Sequence, residues 1–163
     1  MKGELVVGVD DLIGHPETSR EFDGTRRATL RLGDVVVDGP IDVSGVLSGT
    51  VDGVHAVFRA GADASLTCVR CLTSWVDRIE VEGSQHFARE PDEDGYAIVD
   101  RAVDMAGPAT DELALALPSA PLCSPGCKGL CPTCGSDLNR DPCDGHGDDS
   151  DSPFAALKDL LDP

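Results

Sequence analysis

Short apolar bursts punctuate the first third of the chain: Leu5-Val6-Val7-Gly8-Val9, then Leu12-Ile13, then Val35-Val36-Val37, separated by clusters of Asp, Gly and Arg. This pattern predicts strands joined by loops, with Leu5 to Val9 either a strand or a start of chain that pairs late. From Val43 the alternation sharpens through Val46-Leu47 and Val51 to Asp52-Gly53, a preferred two-residue hairpin turn, and then Val54 to Phe58. A hairpin follows. Ala64-Ser-Leu66-Thr-Cys68 leads through Cys71 into Leu72 to Glu82, where Ile79 and Val81 alternate with Glu80 and Glu82 as in a strand with one wet face. Residues 43 to 88 therefore read as an antiparallel meander. A charged loop, Glu90 to Gly95, separates it from one more strand, Tyr96 to Val103.

After Met105 the grammar changes. Gly107-Pro108 followed by Asp111-Glu112 places Pro and acids in the first turn of a helix, Ala109, Leu113 and Leu117 share a face, and Pro118 stops it. Leu113, Leu115 and Leu117 also alternate as a strand would, but the flanking prolines favour the helix. Asp141 to Asp151 carries five Asp and no Lys or Arg, which predicts a loosely held acidic connector. Ser152-Pro153 then reads as the start of a short C-terminal helix with Phe154, Leu157 and Leu161 along one stripe. Together these predict an α+β domain spanning 1–163. Residues 1–104 are mainly β, as an antiparallel sheet or open barrel, and residues 105–163 form a short helix, a Cys-rich zinc-binding loop, the acidic connector and a short C-terminal helix.

Composition narrows the partners. The 163 residues suit one domain by the usual size of roughly 150 residues. Thirty acidic against thirteen basic residues give a formal charge of −17, a field that repels phosphate backbones and attracts basic surfaces, so free nucleic acid is an unfavourable direct ligand. No apolar run approaches the roughly 20 residues of a membrane span, and the start has no apolar signal core. The expected location is the cytosol. Thiols stay reduced there, so seven Cys at close, regular spacings point to a metal rather than to disulfides.

The cysteines carry the candidate chemistry. Cys123, Cys127, Cys131 and Cys134 fall in a segment too rich in Pro and Gly for regular structure, and Cys143 and His146 add two further donors. Each Cys-x-x-Cys step lets a tight turn aim two sulfurs and its free N–H groups at one ion, and Gly135 permits the open backbone such a turn needs. One structural zinc held by four of these residues is the expectation. Cys68-Val-Arg-Cys71 is a second Cys-x-x-Cys. It could complete the metal chemistry, either by pairing with Cys131 and Cys134 in a two-knuckle ribbon or as part of two four-ligand sites. It could also be a redox pair with Arg70 favouring the thiolate, or two ordinary strand-end thiols. A thioredoxin-type pair needs a helix directly after the first Cys, and Leu72 onward reads as strand.

Other candidates are weaker. Asp111 and Glu112 are explained as first-turn acids, and His55 and His86 as lone histidines in strand patterns. The chain holds no phosphate-loop, nucleophile-elbow or His-Glu-x-x-His motif, so no catalytic residue is assigned.

These residues resemble the YceD family, the large ribosomal RNA subunit accumulation proteins of bacteria and plastids. The matching residues are Cys68-Val-Arg-Cys71, Val103-Asp-Met105, Asp111 to Pro118, Pro121-Leu-Cys123, Cys127 to Asn139, and Pro153 to Leu161. The string from Cys127 to Asn139 is the most specific. Relatives often end the cluster with Cys-x-Cys or paired His, where this chain has Cys143-Asp-Gly-His146, and some lack most of the late Cys residues. The resemblance implies a non-enzymatic role in accumulating large-subunit ribosomal RNA. With the −17 charge it implies as partner a basic ribosomal protein or a large-subunit precursor. Two rival readings are a thiol oxidoreductase working through Cys68 and Cys71, and a zinc-ribbon regulator. The second has only Lys128 and Arg140 in its late segment to meet phosphates.

Overall fold

A computed structural model describes residues 5–146 of the chain apart from positions 92, 94, 142 and 144. The predicted C-terminal helix from Ser152, and much of the acidic connector, lie outside the described residues. Four long strands dominate: β2 (Ser19–Leu32), β3 (Val35–Gly49), β4 (Gly53–Thr67) and β5 (Ser74–Ala88). They pair antiparallel in chain order, and the two-residue β6 (Tyr96–Ala97) adds to β5 in parallel. β1 (Val6–Gly8) and β7 (Ala102–Asp104) form a separate antiparallel ribbon, and α1 (Ala106–Ala116) is the one helix among the described residues. The architecture is thus mostly β: a curled open sheet, a short helix and a Cys-rich segment after it. No helix among the described residues is long and apolar enough to cross a membrane.

Strand alternation explains the packing. On β4 the even positions Val54, Ala56, Phe58, Ala60, Ala62, Ala64 and Leu66 are buried, and the register sets Ala56, Ala60 and Ala62 opposite Leu47, Val43 and Ile41 of β3. This inner face joins α1, which contributes Ala109, Leu113 and Leu117, and the β1–β7 ribbon, which contributes Leu5, Val9, Val103 and Met105, in one core. Small alanines on the central strand leave room for the helix. The odd positions Val57, Arg59, Asp63 and Ser65 are exposed, so the opposite face of the sheet is wet.

Several sequence expectations are corrected. The apolar bursts predict no strand between Ile13 and Val35, yet β2 forms there; Gly24 and Arg26 interrupt its apolar alternation between Phe22 and Ala28. Val35 to Val37 is the start of β3, which runs on through Gly39-Pro40 because the ladder to β4 is broken between Val36 and Ile41, where no N–H is required of the proline. Leu12-Ile13 lies in turns rather than a strand, although Leu12 is buried. The β3–β4 hairpin forms as expected, but its turn runs from Thr50 to Gly53, closed by the Thr50 N–H donating to the Gly53 carbonyl at 3.0 Å. Its central residues are therefore Val51 and Asp52 rather than Asp52 and Gly53. The predicted strand Tyr96 to Val103 is two pieces, split by a turn in which Asp100 and Arg101 adopt φ of 49° and 63°. The helix begins at Ala106, where the Asp104 carboxylate accepts the Ala106 N–H at 2.9 Å, so Asp111 and Glu112 fall in its second turn and not its first. The Tyr96 hydroxyl donates a hydrogen bond to Asp111.

The helix also separates residues that a strand would group. Leu113 is fully buried, whereas Leu115 is 83% exposed. Leu113→Ala is expected to cost about 2–5 kcal/mol in urea unfolding, and Leu115→Ala about 0.5 kcal/mol or less. Equal costs would contradict the helical register.

Candidate metal centres

The eight sulfur and imidazole donors fall into two groups of four. Cys68, Cys71, Cys123 and Cys127 form one, and Cys131, Cys134, Cys143 and His146 the other; within each group the donor atoms all lie within 4.8 Å of one another. Cys68 and Cys71 sit at the tip of the β4–β5 hairpin, between Thr67 and Ser74. Their partners are Cys123 and Cys127, not Cys131 and Cys134, so the two-knuckle ribbon pairing is corrected. The physical reason is local: Leu130 and Asp137 bridge antiparallel and the Cys131 N–H donates to the Ser136 carbonyl at 2.8 Å. That small hairpin turns Cys131 and Cys134 towards Cys143 and His146.

Both Cys-x-x-Cys steps take the same shape. The Leu72 N–H donates to the Cys68 carbonyl and the Gly135 N–H to the Cys131 carbonyl, each at 2.9 Å. The residue after the second sulfur is left-handed in both, with φ of 59° at Leu72 and 73° at Gly135. Leu72 is thus part of a knuckle, and the strand starts only at Ser74. A hydroxyl stands two residues after the second sulfur in each: Thr73 Oγ1 is 3.3 Å from Cys71 Sγ, and Ser136 Oγ is 3.1 Å from Cys134 Sγ. The sequence signal for this is the repeated pattern Cys-x-x-Cys-x-Thr/Ser at Cys68 to Thr73 and Cys131 to Ser136.

Spacing fits tetrahedral zinc. Four sulfurs at a zinc–sulfur distance of 2.3 Å stand about 3.8 Å apart. Cys68 Sγ lies 3.8 Å from Cys127 Sγ, Cys71 Sγ 3.5 Å from Cys123 Sγ, and Cys134 Sγ 3.8 Å from Cys143 Sγ, with His146 Nε2 3.1 Å from Cys143 Sγ. These separations are far longer than a disulfide bond of about 2.05 Å, and all seven thiols are free.

The electrostatics are compatible with a cation among the sulfurs. The backbone N–H of Cys123, helped by those of Cys71 and Arg70, draws the Cys68 thiol down to about 6 against the effect of burial. The Ser136 hydroxyl and N–H bring Cys134 down to about 6, with His146 adding to the effect. The sulfurs of Cys71 and Cys127 push Cys123 up to about 12, because a further negative charge beside them is unfavourable without a cation. Donor groups around the sulfurs orient them as outer partners orient metal ligands. Asn139 illustrates this: its Oδ1 accepts the Lys128 N–H at 2.8 Å, and its Nδ2 stands 3.6 Å from Cys127 Sγ.

The two groups differ in setting. In the first, Cys68, Cys71 and Cys127 are buried against Trp75, Leu122 and Leu130. It also ties the Cys-rich segment to the sheet, assisted by Val69 N–H to Pro121 carbonyl and Leu130 N–H to Arg70 carbonyl, both at 3.0 Å, and by the Arg70 guanidinium donating to the Cys127 carbonyl at 2.9 Å. In the second only Cys131 is buried, and Cys134 and His146 are exposed. The remaining sequence candidates are not drawn in. His55 and His86 face each other across β4 and β5, with His86 Nε2 3.2 Å from the Thr50 hydroxyl, and Asp111 and Glu112 stay on α1.

The shared knuckle geometry has a measurable consequence. Leu72 is 64% exposed and holds a left-handed conformation that costs a side-chain-bearing residue about 1–2 kcal/mol. Leu72→Gly is therefore expected to keep or raise the urea midpoint, and Gly135→Leu to lower stability by about 1–2 kcal/mol. A clear loss in Leu72→Gly would contradict the knuckle.

Known sequences place this arrangement. An uncharacterized protein of Mycobacterium tuberculosis is 32% identical over 173 aligned residues, covering 98% of this chain and 82% of that protein. One of Mycobacterium leprae is 37% identical over 148, covering 83% of this chain and 67% of that protein. No solved structure matches the chain. Residues 57–161, which take in both Cys-x-x-Cys knuckles, the helix and every candidate ligand, match the family described as large ribosomal RNA subunit accumulation protein YceD, and the chain belongs to that family.

Proposed function

We propose that this protein supports accumulation of large-subunit ribosomal RNA, and so assembly of the large ribosomal subunit, as a cytosolic binding factor and not as an enzyme. The observation that carries this reading is the family match over residues 57–161. The charge of −17 supports a particular way of working: the protein holds a basic ribosomal protein, or an assembly intermediate containing one, until RNA displaces it. Deleting the gene should lower mature large-subunit RNA relative to small-subunit RNA on a denaturing gel. An unchanged ratio would sink the proposal.

In this reading Cys68, Cys71, Cys123 and Cys127 hold one structural zinc, and Cys131, Cys134, Cys143 and His146 a second. A closed site of four protein ligands contributes folding energy and leaves no position for substrate. Burial of Cys68 and Cys71 beside Cys127 also weighs against a thiol oxidoreductase, whose attacking thiolate must reach a partner disulfide. Protein purified without added zinc is expected to carry two zinc ions per chain by mass spectrometric metal analysis, one for each group of four ligands. Cys131→Ser should retain the ion of the buried group. Absence of metal from the unaltered chain would remove the structural role.

A further inference from the structure

The wet face of the sheet is not flat. Asp23 of β2, Ser44 of β3, Arg59 of β4 and Glu82 of β5 stand in one cross-strand row, and Thr25, Asp42, Gly61 and Glu80 in the next. Together with Arg78 these rows line a groove of about 560 Å³ on the side of the sheet away from α1 and the core. Among the described residues nothing packs over it. Gly61 shapes its floor: a Cβ there would stand 2.6 Å from the Arg78 guanidinium. Without that atom Arg78 crosses β4 from β5 and reaches Asp42 on β3 at 3.1 Å.

The charge in the groove is unevenly committed. Asp23, Asp42, Glu80 and Glu82 set four carboxylates against the guanidinium groups of Arg59 and Arg78, a net of −2. Arg59 is held by Glu82 at 2.7 Å. Arg78 is held by Asp42, by Asp63 at 3.3 Å and by Glu80 at 3.4 Å. Neither arginine has its charge free for an anion, and the two ends of the groove, Asp23 on one side and Glu80 and Glu82 on the other, are both negative. A second hollow beside it exposes Val57 at 56%, where the aliphatic stem of a long side chain can lie.

We infer that this groove is where the protein receives its partner, as an extended segment carrying two lysines or arginines four residues apart. The inference rests on the reading of a basic partner given above and adds the place and the spacing. β2 and β5 are separated by three strand-to-strand steps of about 4.8 Å, about 14 Å in all. An extended chain advances about 3.4 Å per residue with side chains alternating, so residues i and i+4 share a face about 14 Å apart. One cation then meets Asp23 and the other meets Glu80 and Glu82, while a neutral residue between them passes over Arg59. The protein's own chain beyond residue 146 is a poor occupant, since it offers Lys158 against Asp148, Asp149, Asp151, Asp159 and Asp162. A nucleic acid backbone would meet the net negative charge.

Two fluorescent peptides of the same composition test this, one with lysines at i and i+4 among threonines and one with the lysines adjacent, titrated into the full chain and followed by anisotropy. The spaced peptide is expected to bind about tenfold tighter than the adjacent one. Asp23→Asn combined with Glu82→Gln should abolish that preference. Asp34→Asn combined with Glu90→Gln, which removes the same charge at exposed positions outside the groove, should leave it intact. Circular dichroism melts on both pairs confirm that each variant folds. Equal binding of the two peptides, or equal weakening by the two pairs of substitutions, overturns the groove. So does a groove variant that binds an oligonucleotide less well but the spaced peptide as before. Capture of a basic ribosomal protein from lysate at the wild-type level by the Asp23/Glu82 variant also overturns the groove, while leaving the proposed function standing. Peptide preference without any effect on ribosomal RNA in the deletion strain has the opposite meaning.

Discussion

Four sulfurs, two from the tip of a β-hairpin and two from the chain after the helix, lie within 4.8 Å of one another and cannot all shed their protons unless a cation lies among them, and that constraint acts where the Cys-rich segment meets the sheet. Cys68 and Cys71 belong to the hairpin, Cys123 and Cys127 to the chain that follows the helix. Among the described residues the two parts are also joined by backbone hydrogen bonds around Val69, Arg70 and Leu130, by the Arg70 guanidinium donating to the Cys127 carbonyl, and by a small apolar patch around Trp75, Leu122 and Leu130. The opposing thiol shifts, with Cys68 low and Cys123 high, express the same fact in terms of charge. The second group of ligands lies entirely within the later segment, so it shapes that segment without fastening it to the sheet.

The sheet has a different division of labour. Its inner face is a conventional apolar surface covered by α1 and the β1–β7 ribbon, with small alanines on β4 admitting the helix. Its outer face carries charge in long rows across four strands. Surface ion pairs of this kind add little stability singly, typically under about 1 kcal/mol each. In the inferred groove they commit both arginines and leave a surplus of carboxylate, which is the charge the proposed basic partner would meet. The candidate metal centres and the inferred groove thus occupy separate parts of the molecule, and the groove contains none of the cysteines.

Much of the meander was legible from alternation alone. Val43 to Phe58 and Ile79 to Glu82 announced their pairing because one side of each strand is apolar and the other is not. β2 escaped because an edge strand with a charged outer face and only Phe22 and Gly24 deeply buried has almost no period-two signal. β3 was cut short by Asp38-Gly39-Pro40, which looks like a turn unless a break in the neighbouring ladder excuses the proline. The expected first-turn position of Asp111 and Glu112 fails because the helix starts earlier, at Ala106, whose N–H is accepted by the Asp104 carboxylate just before it.

The candidate ligands and the family were carried by the sequence alone, because Cys-x-x-Cys spacing is a local property of the chain and the string from Cys127 to Asn139 is specific. So was the excess of acid, which depends on composition and not on folding. How eight donors divide into two fours could only be decided in three dimensions. Cys68 and Cys123 are 55 positions apart in number, and which pairs meet depends on where the hairpin tip lands and on the small hairpin that turns Cys131 away from it. The groove likewise has no linear signature. Asp23, Asp42, Arg59 and Glu82 come from four strands, and only the cross-strand register, with the side chain absent at Gly61, brings their charges to one place.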